Sequence, residues 1–284
     1  MLACLFWKNG FPVTCIARPE AVLELNKTGL RLQSRVFGDF IARPEFVSRL
    51  DFKPDILFIT VKANELLESL DSVPVNLAED SVIIPFLNGL EHIELLRGRF
   101  GKRIAVGMIG KVESKKSGQG VIAHPSPNVP EVEIASSDLS KEALQKIADV
   151  LRIIGIRVEI LENEKEVIWR KLVRNNAISS LTALNNQPLG FIRNHPEWRK
   201  KLEACVKEGA LIARAEGVDL DPEEVMKQIN SLPDGVTSSL QRDIASGKDS
   251  EIEAILGAVL RRAEHYKISC PTIKEIYQQL KKLV

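Results

Sequence analysis

Residues 55–61 read DILFITV and residues 81–87 read SVIIPFL, two nearly continuous apolar runs rich in β-branched side chains. A strand with one wet face alternates apolar and polar positions, so runs like these require cover on both faces, the condition of a parallel sheet flanked by helices. Working outward, PVTCIAR (12–18) and RIAVGMI (103–109) have the same character, with helix-like segments between them. Strands that alternate with helices build βαβ units, and the first half of the chain is expected to be an α/β, Rossmann-type, doubly wound parallel sheet.

Residues 111–136 break that rhythm. Gly118, Gly120, Pro125, Pro127 and Pro130 surround GVIAH and VEIAS, which read as hairpin-like edge strands. A helix over about 140–154 and a strand, IRVEIL, follow. Beyond Glu162 nearly everything has helical period: 164–184, 196–216, 221–231, 238–246, 250–267 and 271–283. Pro196, Pro222 and Pro271 fall in first turns and Gly217 lies past a C-terminus, where helix boundaries favour them. The expected division is a sheet domain over 1–162 and an all-helical domain over 163–284, and 284 residues suit two domains at ~150 residues each.

Thirty-nine basic against 38 acidic residues leave a net charge of +1, which argues against nucleic acid and anionic membrane as partners. No apolar run reaches the ~18 residues of a membrane span, and MLACLFWKNG has neither a basic leader nor a small-residue cleavage pattern. A cytoplasmic protein acting on a small molecule is expected. Cys4, Cys15, Cys205 and Cys270 are far apart and show no metal-ligand spacing, so buried free thiols and no metal site are expected.

The segment WRKLVRNNAISSLTAL (169–184) is apolar on most sides yet carries Lys171, Asn175 and Ser179 four residues apart. At ~100° per residue these three drift only ~80° around the axis and form one polar stripe. Two readings stand. Lys171 can extend its ammonium to water while Asn175 closes a helix-to-helix hydrogen bond, or Lys171 can sit among Ile168, Leu172 and Ile178, where desolvation tunes a lysine for proton transfer.

Other polar residues stand at strand and helix ends. Arg18 closes PVTCIAR, and in a dinucleotide fold a basic residue closing the second strand accommodates the 2′-phosphate of NADP; an ordinary strand-end arginine is an equal alternative. Lys62 and Asn88-Gly89 lie just past the carboxyl ends of the two apolar strands, where open α/β sheets bind ligands, although Asn-Gly is also a common turn. Ser250 and Glu253 form a Ser-x-x-Glu capping box that puts Glu251 in a first turn; it reads as a dipole-stabilised or simply solvated carboxylate. Ser239 reads as a helix cap. His124 and His195 each precede a proline without a partner of suitable spacing, and read as structural or exposed.

Together these residues resemble the ketopantoate reductase family, NADPH-dependent 2-dehydropantoate 2-reductases of the 6-phosphogluconate dehydrogenase-like superfamily. The likeness runs from GFPVTCIAR through FITVKANEL, PFLNGLEHIELL and KLVRNNAISSLTAL to SSLQRDIASGKDSEIEAILGAVLRRAEHYKISCPTI. The resemblance implies NADPH/NADP as cofactor and a small 2-keto acid, first 2-dehydropantoate, as the substrate reduced on the route to pantothenate. It implies that Lys171 is the general acid and Glu251 an acidic partner near the reacting end, that Asn88, Asn175 and Ser239 bind substrate, and that Arg18, Lys62, Asn88 and Glu251 contact cofactor. A homodimer is plausible for the helical domain.

Three departures accompany the likeness. Ser179 stands on the substrate-binding stripe where the family commonly has a second asparagine. NNQPLGFI puts Leu189 where an Asn-Gly turn is usual, which makes a reductase of a different 2-keto acid an alternative. Strand one and its GxGxxG loop do not occur before Gly10, and LACLFWKN reads as the end of the first helix. A late start is expected from this, with strand one, central in the 3-2-1-4-5-6 order, missing; a catalytically silent homologue acting through association is the other reading.

Overall fold

Both apolar runs become strands, each shorter than the run that specifies it, and the second is buried throughout while the first is half-buried up to Ile59. The computed structural model describes residues 1–110 and 114–284; residues 111–113, at the start of the expected edge-strand region, lie outside the described residues. Strands are β1 (Thr14–Ile16), β2 (Leu30–Ser34), β3 (Gly38–Ala42), β4 (Glu45–Val47), β5 (Ile56–Ile59), β6 (Val82–Pro85), β7 (Val106–Gly110), β8 (Lys115–Lys116), β9 (Val121–His124), β10 (Glu131–Ala135) and β11 (Arg157–Ile160). Helices are α1 (Leu2–Lys8), α2 (Pro19–Thr28), α3 (Leu66–Leu70), α4 (Val75–Ala78), α5 (Glu91–Phe100), α6 (Lys141–Ile153), α7 (Glu164–Asn185), α8 (Leu189–Asn194), α9 (Pro196–Ala215), α10 (Pro222–Asn230), α11 (Ser239–Ala245), α12 (Ala258–His265) and α13 (Pro271–Lys281), with a π-helical turn at Glu253–Gly257.

The chain divides into two compact units. One comprises Met1–Thr60, Leu67–Phe86 and Leu95–Glu164; the other comprises Val61–Leu66, Leu87–Glu94 and Lys165–Val284. The short segments after β5 and β6 thus cluster with the helices.

The sheet unit is mixed, which corrects the expectation of a purely parallel sheet. β1 pairs in parallel with β4, and β5 with β6. β10 runs antiparallel to β7 and parallel to β11, while β2 is antiparallel to β3 and parallel to β9. GVIAH and VEIAS do become β9 and β10, but they do not pair as a hairpin. Each lies between two other strands of its own sheet, β9 between β2 and β8, β10 between β7 and β11. The reason is burial: Val132 and Ile134 of β10 are at most 1% exposed and join Ile84, Leu144, Ala148 and Leu151 in one apolar core. Each such side chain contributes roughly 1.5–3 kcal/mol relative to exposure, more than a local turn preference can offset.

In the helical unit α7 is the central element. Its 22 residues contain no glycine or proline, and Val167, Trp169, Leu172, Val173, Ala177 and Leu181 are buried, so it is covered on most sides. It ends where Asn186 turns left-handed (φ 47) and the Gln187 amide reaches back to the Thr182 carbonyl at 3.2 Å, ahead of Pro188. Two buried contacts tie α7 to its surroundings: Thr182 Oγ1 and Ser238 Oγ lie 2.9 Å apart at the start of α11, and Asn176 Nδ2 donates to the Ile255 carbonyl of the π turn at 3.2 Å.

Candidate active site

Lys62 and Asn88 each follow their strand by three residues, and Asn88 and Ala63, the residue after Lys62, meet Glu251 within the helical unit. Pro85 is the last residue of β6, the Phe86 amide still bonds the Ile59 carbonyl at 2.8 Å, and Gly89 then takes a left-handed φ of +87. A Cβ there would stand 2.5 Å from the Ala254 carbonyl oxygen, so only glycine lets this loop lie against the π turn.

Glu251 is 6% exposed, which corrects the picture of a solvated first-turn carboxylate. Its Oε1 accepts the Ala63 backbone N–H at 3.0 Å and its Oε2 accepts Asn88 Nδ2 at 2.9 Å, the partners a buried carboxylate requires. Beside it Lys62 Nζ forms an ion pair with Asp243 Oδ2 at 3.0 Å and donates to the Asp249 carbonyl at 3.3 Å. The expected capping box is absent. Glu253 instead accepts from Tyr277 Oη at 2.6 Å and pairs with Arg261 and Lys281 at 3.2 Å. Tyr277 above all, then Lys281 and Arg261, hold the Glu253 carboxyl below the usual range.

The stripe on α7 is real but graded in depth. Lys171 and Asn175 are half-buried and Ser179 is 2% exposed; the Ser179 hydroxyl donates to Asn175 Oδ1 at 2.7 Å and so orients that amide. Lys171 acts electrostatically on His92, which lies in the first turn of α5, four residues past Asn88. Burial first, and the Lys171 charge second, lower the His92 pKa to about 4, so the imidazole is neutral at ordinary pH. His92 is 5% exposed and its Nε2 has no hydrogen-bond partner.

At α11 the cap is Ser238, not Ser239: Ser238 is buried and accepts the Gln241 amide at 3.0 Å. Ser239 is exposed one position later. Arg18 belongs to the sheet unit and is exposed at the N-terminus of α2. Leu189 is fully buried and its amide bonds the Val236 carbonyl at 2.9 Å. His124 is fully buried 2.9 Å from Ser34 Oγ, and His195 is exposed beside Phe191. Cys4, Cys205 and Cys270 are buried free thiols, while Cys15 is half-buried; burial pushes its pKa up to about 11, which makes it a poor nucleophile.

Reading the sequence did not single out Asp243, His92 or Asn176. Asp243 stands in the segment SSLQRD, but with 39 basic and 38 acidic residues charge alone does not select it as the partner of Lys62, and nothing in the sequence marks His92 or Asn176 as buried. Among the described residues no group of three or more His, Cys, Asp or Glu is arranged to hold a metal ion, and no helix is long and apolar enough to cross a membrane.

Residues 1–134 match the model "Ketopantoate reductase PanE/ApbA", and residues 163–284 match "Ketopantoate reductase PanE/ApbA C terminal". An uncharacterised oxidoreductase of Bacillus subtilis (strain 168) is 28% identical over 277 residues, 96% of this chain and 91% of that protein. A 2-dehydropantoate 2-reductase of Archaeoglobus fulgidus is 26% identical over 276 residues, 95% of this chain and 89% of its own. The structure of a D-mandelate dehydrogenase with NADH and anilino(oxo)acetate shares the fold, with a TM-score of 0.90 at 22% identity over 99% of this chain and 93% of that one. The α/β unit, the helical unit and both family models agree: the chain belongs to the ketopantoate reductase (PanE/ApbA) family of Rossmann-fold oxidoreductases.

Proposed function

We propose that the protein reduces a small 2-keto acid, 2-dehydropantoate first, with NADPH, by a ketopantoate-reductase-like oxidoreductase reaction. Family membership supports the reaction class and an NAD(P)H-type cofactor. The observation that carries the finer reading is Glu251, buried and tied through separate oxygens to Asn88 and to the residue after Lys62. The donors suit an anionic dinucleotide: Arg18 is exposed just past β1, Lys62 is cationic, and Asn88 offers an amide. When bound, the reduced nicotinamide supplies the hydride.

The chain's own groups do the rest. Lys171 Nζ passes a proton to the carbonyl oxygen as that oxygen gains charge, and its positive charge stabilises the oxyanion on the way. Glu251 holds the Asn88 amide in place before substrate arrives, which removes reorganisation from the reaction. Asn175, oriented by Ser179, and the exposed Ser239 hydroxyl bind the polar end of the substrate. The expected homodimer is read by light scattering on the same preparation.

The test is loss of NADPH absorbance with 2-dehydropantoate, against NADH in parallel. Turnover with NADPH upholds the reading; no turnover of any 2-keto acid with either cofactor defeats it. A second reading, a different 2-keto acid, is favoured by Leu189, whose full burial removes a polar substrate contact at that position. Faster turnover of another 2-keto acid in the same assay selects it.

A further inference from the structure

Arg261 lies outside the Lys62, Asn88 and Glu251 cluster but touches both chain segments that build it. Its Nε and Nη2 donate to the two carboxylate oxygens of Glu91 at 2.7 and 2.8 Å, and Glu91 is three residues past Asn88. The same guanidinium donates to the Glu253 carbonyl at 3.1 Å and the Glu253 carboxylate at 3.2 Å, and Glu253 is two residues past Glu251. We infer that Arg261 is a positioning residue that sets the placement of Asn88 against Glu251. The inference rests on the function proposed above for those two residues.

The backbone explains why one arginine should have this leverage. Glu253 opens a π turn, whose carbonyls are offset from the regular helical ladder; the Ala258 amide reaches back five residues to the Glu253 carbonyl that Arg261 also engages. Such turns are rare and gather at functional sites. A Cβ at Gly257 would fall 2.5 Å from Glu253 Oε2 and 2.9 Å from Arg261 Nη1, so the guanidinium and carboxylate occupy the space left by a missing side chain. At the other end Gly89 lets the Asn88 loop rest on the Ala254 carbonyl. Loop and turn touch directly, and Arg261 clamps them.

As a surface ion pair Arg261 would contribute little, because half-exposed charges are screened and long side chains lose entropy. Its planar fork matters for direction. It fixes Glu91 bidentately, which a lysine cannot do, and a misplacement of about 1 Å at a reacting centre can lower a rate by about 100-fold.

The test compares Arg261→Ala and Arg261→Lys with the wild type in three measurements. Arg261→Ala is expected to lower kcat/KM by roughly 10- to 100-fold, with Arg261→Lys between it and wild type. Hydrogen exchange of the Ala63 amide, which Glu251 accepts, is expected to quicken by about tenfold or more in Arg261→Ala. In an Glu251→Gln background the further loss on adding Arg261→Ala should shrink to about twofold or less, because a residue acting through Glu251 has nothing left to act on. Unchanged Ala63 exchange, or an undiminished effect in the Glu251→Gln background, overturns the inference. Should the wild type turn over no 2-keto acid, the proposed function falls, while Ala63 exchange still decides whether Arg261 positions Glu251. If Arg261→Ala does not fold, Arg261→Lys carries the same exchange measurement.

Discussion

Each unit of the molecule buries a polar cluster, and the two clusters are built on opposite plans. In the sheet unit Ser34 Oγ accepts the Val36 and Phe37 amides at 3.1 and 3.0 Å and, with that role filled, directs its hydroxyl to His124 Nδ1 at 2.9 Å. The His124 ring stacks on Phe37 and has no exposed surface. A serine beside a histidine suggests a nucleophile on paper; here the hydroxyl oxygen caps a turn and the pair is closed to solvent. In the helical unit Lys62, Asp243 and Glu251 bring formal charges to a half-buried place where Lys62 retains exposure, and Lys171 stands half-buried on α7. Residue types alone do not separate the two. Charge held in partial burial, with part of the surface still open, does.

The largest expected difference comes from Lys171. Lys171→Ala should lower kcat by about 100- to 10,000-fold, the contribution of a general acid, with little change in melting temperature. A rate within a few-fold of wild type would remove the helical cluster from the chemistry. Next, Glu251→Gln should lower kcat/KM by roughly 100-fold, since it removes the carboxylate that accepts both Asn88 and the Ala63 amide. Steady-state kinetics measure both.

The histidines extend the contrast to stability. The His92 pKa of about 4 lies below its ordinary 6.5, so the unfolded chain binds the proton first as pH falls. Its contribution is intact above pH 6.5 and is lost between 6.5 and about 4, on the order of 3 kcal/mol. Urea midpoints measured across that window should slope less in His92→Leu than in wild type; parallel slopes would show that His92 is not held neutral. The smallest effect is expected at Ser34→Ala, roughly 1–3 kcal/mol of stability from a cap and a buried partner removed, with kcat and KM unchanged. A large rate loss there would erase the distinction between the clusters.

How much of this was legible in the sequence differs from element to element. In the helical half the longer helices were read nearly to their boundaries because period, proline at first turns and Gly217 are local signals that agree with one another, whereas the six-residue α8 was not expected. The hairpin of β2 and β3 was not singled out. Its residues LRLQS and GDFIA are short and mixed, and what makes them a pair is the loop between them and the parallel contact of β2 with β9, ninety residues on. The π turn was equally hidden, since Ser250 and Glu253 satisfy a capping pattern and only Arg261, Tyr277 and Lys281 draw Glu253 elsewhere.

The site divides along the same line. Lys171, Asn175 and Ser179 sit on one helix, where a spacing of four residues fixes their common face, so their association could be read from the chain alone. Lys62, Asn88, Asp243 and Glu251 come from three separate segments whose side-chain pairings are set by packing over long sequence distances. No local rule assigns Glu251 to Asn88, or Lys62 to Asp243. Periodicity within a helix is a property of the backbone and is written into every few residues; the partner of a buried charge is chosen only when the fold has decided which segments share its surroundings.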